Sequence, residues 1–237
     1  MDDKVIVRDY FNATGFERWR RIYGDGEVSS VQRDIRVGHQ RTVDTLLEWL
    51  RSDASQSGGS LDSLKICDAG CGVGSLSIPL AQAGAKVFAS DISQSMVSEA
   101  QQRAAALGLQ NNPSFAVQDL ETLSGQYPTV ICLDVLIHYP EAKAAEMIQH
   151  LASLAQSRLV LSFAPKTLLL TLLKRIGEFF PGPSKTTRAY QHREREIVAV
   201  LEQLGFKVRR RTMISTRFYF SCLLEAIRPE IETEKPN

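Results

Sequence analysis

The sequence carries no surplus of charge of either sign. Its 237 residues hold 28 lysines and arginines against 27 aspartates and glutamates, a formal net charge of +1. A chain so balanced is not built to track a phosphate backbone, which argues against nucleic acid as its partner. No uninterrupted apolar stretch reaches the roughly 18 residues that cross a bilayer. The opening MDDKVIVRDY is acidic and has no basic segment followed by an apolar one, so no secretory signal is visible. Cysteine is scarce: Cys67, Cys71, Cys132 and Cys222 form no CxxC pair and no disulfide-like spacing, and most sit in apolar runs. Buried free thiols in a reducing compartment are expected, and with them a cytoplasmic location. No cluster of His, Cys, Asp and Glu has metal-ligand spacing, so a protein-bound metal is not indicated.

What remains is an ordinary globular balance, 43% hydrophobic and 23% charged, in a chain long enough for one large α/β domain with an extra arm. Residues 3–52 read as helical, with Val31, Ile35, Val43, Leu46, Leu47 and Leu50 at helical spacing, and 1–52 is expected to form an N-terminal arm. The small, polar stretch SDASQSGGSLDS places a flexible linker at 53–63. From residue 64 short apolar runs alternate with helical ones. Strands are expected at 64–69, 85–90, 114–117, 129–133 and 158–163, and helices at 75–84, 94–107 and 141–154. That alternation implies a doubly wound, mostly parallel sheet covered on both faces. Two β-rich runs, 207–214 and 217–225, read as a terminal antiparallel hairpin, which makes seven strands. The domain thus runs over 64–228, with an insert at 165–192 and a frayed tail at 229–237.

The first strand ends in Asp68-Ala69-Gly70-Cys71-Gly72-Val73-Gly74-Ser75. A dinucleotide fingerprint needs a third glycine where Ser75 stands, which disfavours a nicotinamide dehydrogenase. A glycine loop alone is only a tight turn; its acidic company raises its meaning. Asp91 closes the second strand, 21 residues after Gly70, where it can accept hydrogen bonds from ribose hydroxyls. Asp119 ends the third strand, placed for an adenine amino group. Asp68 can orient the loop or hold an ammonium group through bridging water. Ile92, Leu120 and Leu133, beside these positions, complete the candidate cofactor set. Carboxylates at the ends of successive strands suit a cationic ligand bearing hydroxyls, and nothing provides for a pyrophosphate. S-adenosylmethionine, with a sulfonium, an ammonium, a ribose and an adenine, matches. The terminal hairpin agrees, because the pattern resembles the class I S-adenosylmethionine-dependent methyltransferases.

His138 follows the fourth strand, on the side where the methyl donor should lie. It is either a capping or core histidine or a group that positions or deprotonates the acceptor. His39, His150 and His192 fall on polar helical stretches and are given no role. After the fifth strand, KTLLLTLLKRIGEFF places Leu168, Leu169, Leu172, Leu173, Ile176, Phe179 and Phe180 on one helical face before Pro181-Gly182-Pro183. This run is a core helix, a lid over a large apolar ligand or a membrane-resting patch. The arm holds FERWRRIYGDGE, and folding over the crevice would bring Tyr23 to the reacting centre. Packing on the outside of the sheet is the alternative.

The segments FERWRRIYGDGEV, DAGCGVGSLSIPLA, ASDIS, ICLDVLIHYP, RLVLSFAPKT, FPGPSKTTRAYQH and STRFYFSCLLEA together resemble the magnesium-protoporphyrin IX O-methyltransferases of cyanobacterial type, over roughly residues 9–228. DAGCGVG alone marks only the wider superfamily; the IHYP, FPGPSK and STRFYFS segments carry the specificity. The resemblance implies methylation of one propionate of magnesium-protoporphyrin IX in chlorophyll synthesis, a step of photosynthetic pigment supply. It further implies contact with the porphyrin-carrying large subunit of magnesium chelatase and peripheral association with photosynthetic membranes. By their place in these motifs, Tyr23 and His138 are implied to matter for catalysis. The rival readings are an O-methyltransferase for another apolar acceptor such as a quinone precursor, and a non-catalytic tetrapyrrole carrier. Intact Gly70, Gly72 and Asp91 count against the carrier.

Overall fold

The computed structural model describes residues 3–24, 26–166 and 190–229. Seven strands form one sheet: β1 (Lys65–Ala69), β2 (Lys86–Asp91), β3 (Ser114–Val117), β4 (Tyr127–Cys132), β5 (Ala155–Phe163), β6 (Lys207–Ser215) and β7 (Phe220–Ile227). Their order is β3-β2-β1-β4-β5-β7-β6. The first five pair in parallel, and β7 runs antiparallel between β5 and β6. The doubly wound sheet with a terminal hairpin is therefore the observed fold. Chain direction across the sheet reverses between β1 and β4, and a crevice opens beyond the carboxyl ends at such a point.

Alternate residues of the central strands face opposite ways, so both faces must be covered. Ile66, Ile131, Val160 and Leu223 join one core with Val43, Leu46 and Leu50 of a long helix. Cys67, Val130, Leu159 and Leu224 join the other with Ile148 and Leu151, and with Ile197 and Leu201. Numbered along the described residues, the helices are α1 (Asp3–Asn12), α2 (Thr14–Ile22), α3 (Ser30–Gln56), α4 (Ser77–Gln82), α5 (Gln94–Ala106), α6 (Glu141–Leu154) and α7 (Glu194–Gln203). All four cysteines are buried free thiols.

The arm is three helices rather than one continuous stretch. α3 starts at a capping box, with Ser29 Oγ accepting from the Gln32 N–H and the Gln32 side chain accepting from the Ser29 N–H. Its far end corrects the expected linker, because α3 continues to Gln56. Asp53, assigned to a flexible segment from composition, is anchored by Arg158 at 2.7 Å and Arg209 at 2.8 Å, and also by Arg210. Glu225, fully buried on β7, shares Arg158 and Arg210. Small polar composition lowers helix propensity by only a few tenths of a kcal/mol per residue, and tertiary ion pairing overrides it here.

The expected insert at 165–192 lies mostly outside the described residues, including the whole apolar run 168–180. Its base is pinned: Pro165 and His192 form a parallel bridge, with the Lys166 N–H donating to the His192 carbonyl and the His192 N–H to that of Ala164, both at 2.8 Å. No helix among the described residues is long and apolar enough to cross a membrane.

Candidate active site

A cleft opens at the carboxyl ends of β1, β2 and β4. Its floor is the glycine loop. Gly70 has φ +86°, and a Cβ there would stand 2.3 Å from a methyl of Val135, so both conformation and approach demand glycine. Gly72 has φ +51°, and a Cβ on it would meet no atom within 4 Å. Since Gly72 lines the cleft, that side chain would project into ligand space. The loop is held by the N–H groups of Gly70 and Cys71, which donate to the Ser90 carbonyl at 2.8 and 2.9 Å.

Asp91, Ile92, Asp119, Leu120 and Leu133 line the same cleft, so most of the expected cofactor set converges. Asp91 accepts from the N–H groups of Gly72 and Ser93, each at 2.9 Å. Burial pushes its pKa up, and those N–H groups pull the other way. Asp119 lies two residues beyond β3 and caps a short 3-10 turn by accepting from the Glu121 N–H.

Asp68 is placed differently from the rest. It is not among the cleft-lining residues; it is buried behind the loop, where Ser77 Oγ donates to it. Desolvation raises its pKa to about 6 against the pull of Ser77. Orienting the loop, one of the two roles expected, fits this position.

The arm closes the cleft: Val7, Phe11, Trp19 and Tyr23 form one wall. Tyr23 stacks on Trp19 at 5.4 Å and leans on His39 at 4.5 Å. Burial first, then the charges of Asp134 and Asp91, hold its phenol well above the usual pKa, so it remains an O–H donor. His138 ends a 3-10 turn after β4 and lines the cleft, edge-on to Phe11. Its Nδ1 is buried and has no hydrogen-bond partner. Desolvation lowers its pKa to about 4, with Asp134 opposing weakly, so the ring is neutral at pH 7. An orphaned buried nitrogen in a cleft wall is unusual and points to a ligand as its partner.

Two residues of the site were missed from sequence. His39, dismissed there as part of a polar helical face, is only 6% exposed and lines the cleft. Its Nδ1 lies 2.8 Å from Asp134 Oδ2 and its Nε2 2.8 Å from Ser75 Oγ. The signal was present: positions 39, 43, 46 and 50 share one helical face, the buried one. Asp134, two residues beyond β4, adopts φ +56°, the only positive φ among the described non-glycine residues. Ser162 and Tyr219 donate hydroxyl hydrogen bonds to it. His192 is likewise buried, with Nε2 2.8 Å from the Leu136 carbonyl, but it lies outside the cleft lining. His150 sits 2.9 Å from the Leu123 carbonyl and is also remote from the cleft.

Comparison with known proteins agrees with this fold. Residues 132–228 match the model of the magnesium-protoporphyrin IX methyltransferase C-terminus, and residues 66–157 a methyltransferase domain. The magnesium-protoporphyrin O-methyltransferase of Synechocystis sp. is 65% identical, covering 96% of this chain and 97% of its own. The chain belongs to the magnesium-protoporphyrin IX methyltransferase family. A second member, the chloroplastic magnesium protoporphyrin IX methyltransferase of Arabidopsis thaliana, is 57% identical over 95% of this chain and 71% of its own. The crystal structure of the Synechocystis magnesium protoporphyrin IX methyltransferase with bound SAH superposes with a TM-score of 0.87 at 62% identity, covering 95% of this chain and all of that one. The fold and this family's methyltransferase activity are thus shared along nearly the whole chain.

Proposed function

We propose that this protein methylates a propionate carboxylate of magnesium-protoporphyrin IX, using S-adenosylmethionine, to give the monomethyl ester in chlorophyll synthesis. One observation carries the reading: a cleft floored by Gly70 and Gly72 and flanked by Asp91 and Asp119 is closed by a wall that presents the unpartnered Nδ1 of His138.

The donor, when bound, supplies an electrophilic sulfonium methyl group. On this reading Asp91 accepts from its ribose hydroxyls and Asp119 from its adenine amino group, with Ile92, Leu120 and Leu133 against its apolar surfaces. The acceptor needs no base, because a propionate resembles a glutamate, with a pKa of about 4.3, and is ionised at neutral pH. What it needs is alignment to about 3–3.5 Å and exclusion of water. Attack neutralises opposite charges, so a water-poor cleft favours the transition state over the separated ions. The arm's aromatic wall provides that exclusion. Neutral His138 and the Tyr23 phenol can each donate one hydrogen bond to the carboxylate. Neither carries a positive charge, so neither ties up the nucleophile as an ion pair would.

The same reading takes in the porphyrin-carrying large subunit of magnesium chelatase as the delivering partner, and a cytoplasmic protein in peripheral contact with photosynthetic membranes. Its support is the resemblance of the segments and the apolar run at 168–180 in the sequence. Mass spectrometry of magnesium-protoporphyrin IX after incubation with S-adenosylmethionine and the protein tests the activity. A gain of one methyl group is expected; unchanged porphyrin overturns the assignment.

A further inference from the structure

His138 reaches the cleft from a single turn of 3-10 helix, Leu136–His138, and no hydrogen bond to Nδ1 steadies its ring. The ring's orientation then depends on the backbone that carries it, with Phe11 packed edge-on. One turn of 3-10 helix is a weak scaffold by itself, because its hydrogen bonds are few and poorly aligned. Two close it here: the His138 N–H donates to the Val135 carbonyl at 3.0 Å and the Tyr139 N–H to that of Leu136 at 3.1 Å. Further bonds come from the segment that returns from the insert. The Tyr190 N–H donates to the Ile137 carbonyl at 2.7 Å, and His192 Nε2 lies 2.8 Å from the Leu136 carbonyl. A carbonyl only accepts, so Nε2 carries a hydrogen and donates it, whether the ring is neutral or charged. His192 is itself fixed. It is buried just past the end of β5, its N–H donating to the Ala164 carbonyl and its own carbonyl accepting from the Lys166 N–H, both at 2.8 Å.

We propose that His192 is a positioning residue: its Nε2–H, anchored at the end of β5, holds the Leu136–His138 turn so that the His138 ring faces the acceptor. His192 does not line the cleft, so it acts only through that turn. The inference rests on the role given to His138 above and deepens it. It also joins the base of the insert to the reacting centre. The short segment that closes this base grips the carbonyls of both residues ahead of His138.

Side-chain amides separate the hydrogen bond from the bulk of the ring. Glutamine places its amide N–H at the ε position, within reach of the Leu136 carbonyl, whereas asparagine is one carbon too short. The experiment is steady-state kinetics with S-adenosylmethionine and magnesium-protoporphyrin IX. His192→Ala and His192→Asn should lower kcat about tenfold or more, the scale of a reactant held out of line, with kcat/KM falling alongside and affinity for S-adenosylhomocysteine within about twofold. His192→Gln should recover most of the lost rate. Nitrogen-detected NMR adds a reading that needs no substrate. The His138 imidazole resonances should shift or split in the alanine and asparagine variants and return in glutamine, while those of His150, remote from the cleft, stay in place. A rate loss in His192→Gln as large as in His192→Ala, a loss carried by KM or donor affinity alone, or unmoved His138 resonances would each overturn the inference. If His192→Ala does not fold, the comparison of glutamine with asparagine decides. Failure of the unaltered protein to methylate the porphyrin would instead overturn the activity assignment, and the NMR comparison would still decide whether His192 holds the turn.

Discussion

The ring of Phe11 stands edge-on to that of His138, with centroids 5.1 Å apart and planes at 80°. One residue belongs to the first helix of the arm and the other to the turn after the fourth strand, so their contact ties closure of the cleft to the state of its histidine. The arm is fastened nearby, where Ser93 Oγ hydrogen-bonds with the Phe11 carbonyl at 3.1 Å and the Asn12 side chain at 2.8 Å while capping α5.

Phe11→Ala should therefore change the titration of His138. Desolvation is what lowers its pKa to about 4, and removal of the ring lets water reach it. The pKa should climb toward the ordinary value near 6.5, which nitrogen-detected NMR of the imidazole would read directly. The unaltered protein should show no His138 inflection in kcat between pH 5 and 8, whereas the variant should gain one below neutrality. The sign for stability follows as well. Between pH 6.5 and 4 the unfolded chain binds a proton that the folded one refuses, so this histidine costs stability as pH falls through that window. Phe11→Ala should flatten that loss, and a steeper loss than in the unaltered protein would contradict the cause given for the shift.

Much of this was legible in the sequence, and the exceptions have physical reasons. The strand and helix order, the terminal hairpin and the glycine loop followed from periodicity and from turn residues, which are local signals. The end of α3 did not, because Asp53 is held by arginines on β5 and β6, far away in the chain. Asp68 and Asp91 look equivalent at strand ends. Their difference lies in Ser77, whose hydroxyl takes the first and leaves the second facing the cleft. His39 was passed over because its neighbours along the chain are polar, although its neighbours along the helix face are not. Asp134 gave no signal at all: its importance comes from partners at positions 39, 162 and 219.

Asp91→Ala should weaken donor binding by about 1.5–3 kcal/mol, the scale for a hydrogen bond to a charged group. Two losses combine, the acceptor for ribose hydroxyls and the anchor for the Gly72 N–H at 2.9 Å. Calorimetry with S-adenosylhomocysteine alone measures it. An unchanged affinity would remove Asp91 from the site.

Gly38→Ala should destabilise the protein by about 1–2 kcal/mol, although alanine is the better helix former. A Cβ at position 38 would sit 2.3 Å from the ring of Tyr219, an overlap that only a shift of ring or helix relieves. Such overpacking costs roughly 1–3 kcal/mol, against about 1 kcal/mol gained in helix propensity. The displaced ring would also draw its hydroxyl away from Asp134, 3.0 Å distant, and from Thr42, 2.9 Å distant. Denaturant unfolding gives the stability change, and a stabilised variant would show that the contact yields without cost.

His138→Ala should lower kcat by about 10²-fold or more, the scale of a misplaced reactant, with donor affinity little changed. The argument starts from charge. A ring whose pKa is held near 4 is neutral at pH 7 and offers the acceptor carboxylate one N–H. That carboxylate has no proton to give up, so a base would have nothing to remove. If orientation is the task, His138→Gln or His138→Asn, each with an amide donor, should retain a measurable part of the rate, and the retained rate should be flat with pH. If proton abstraction were the task, both amides would be as poor as alanine. Steady-state kinetics of the three variants separates these outcomes. Wild-type kcat in all three would return His138 to a packing role, leaving Tyr23, 4.5 Å from His39 across the same cleft, as the group that aligns the acceptor.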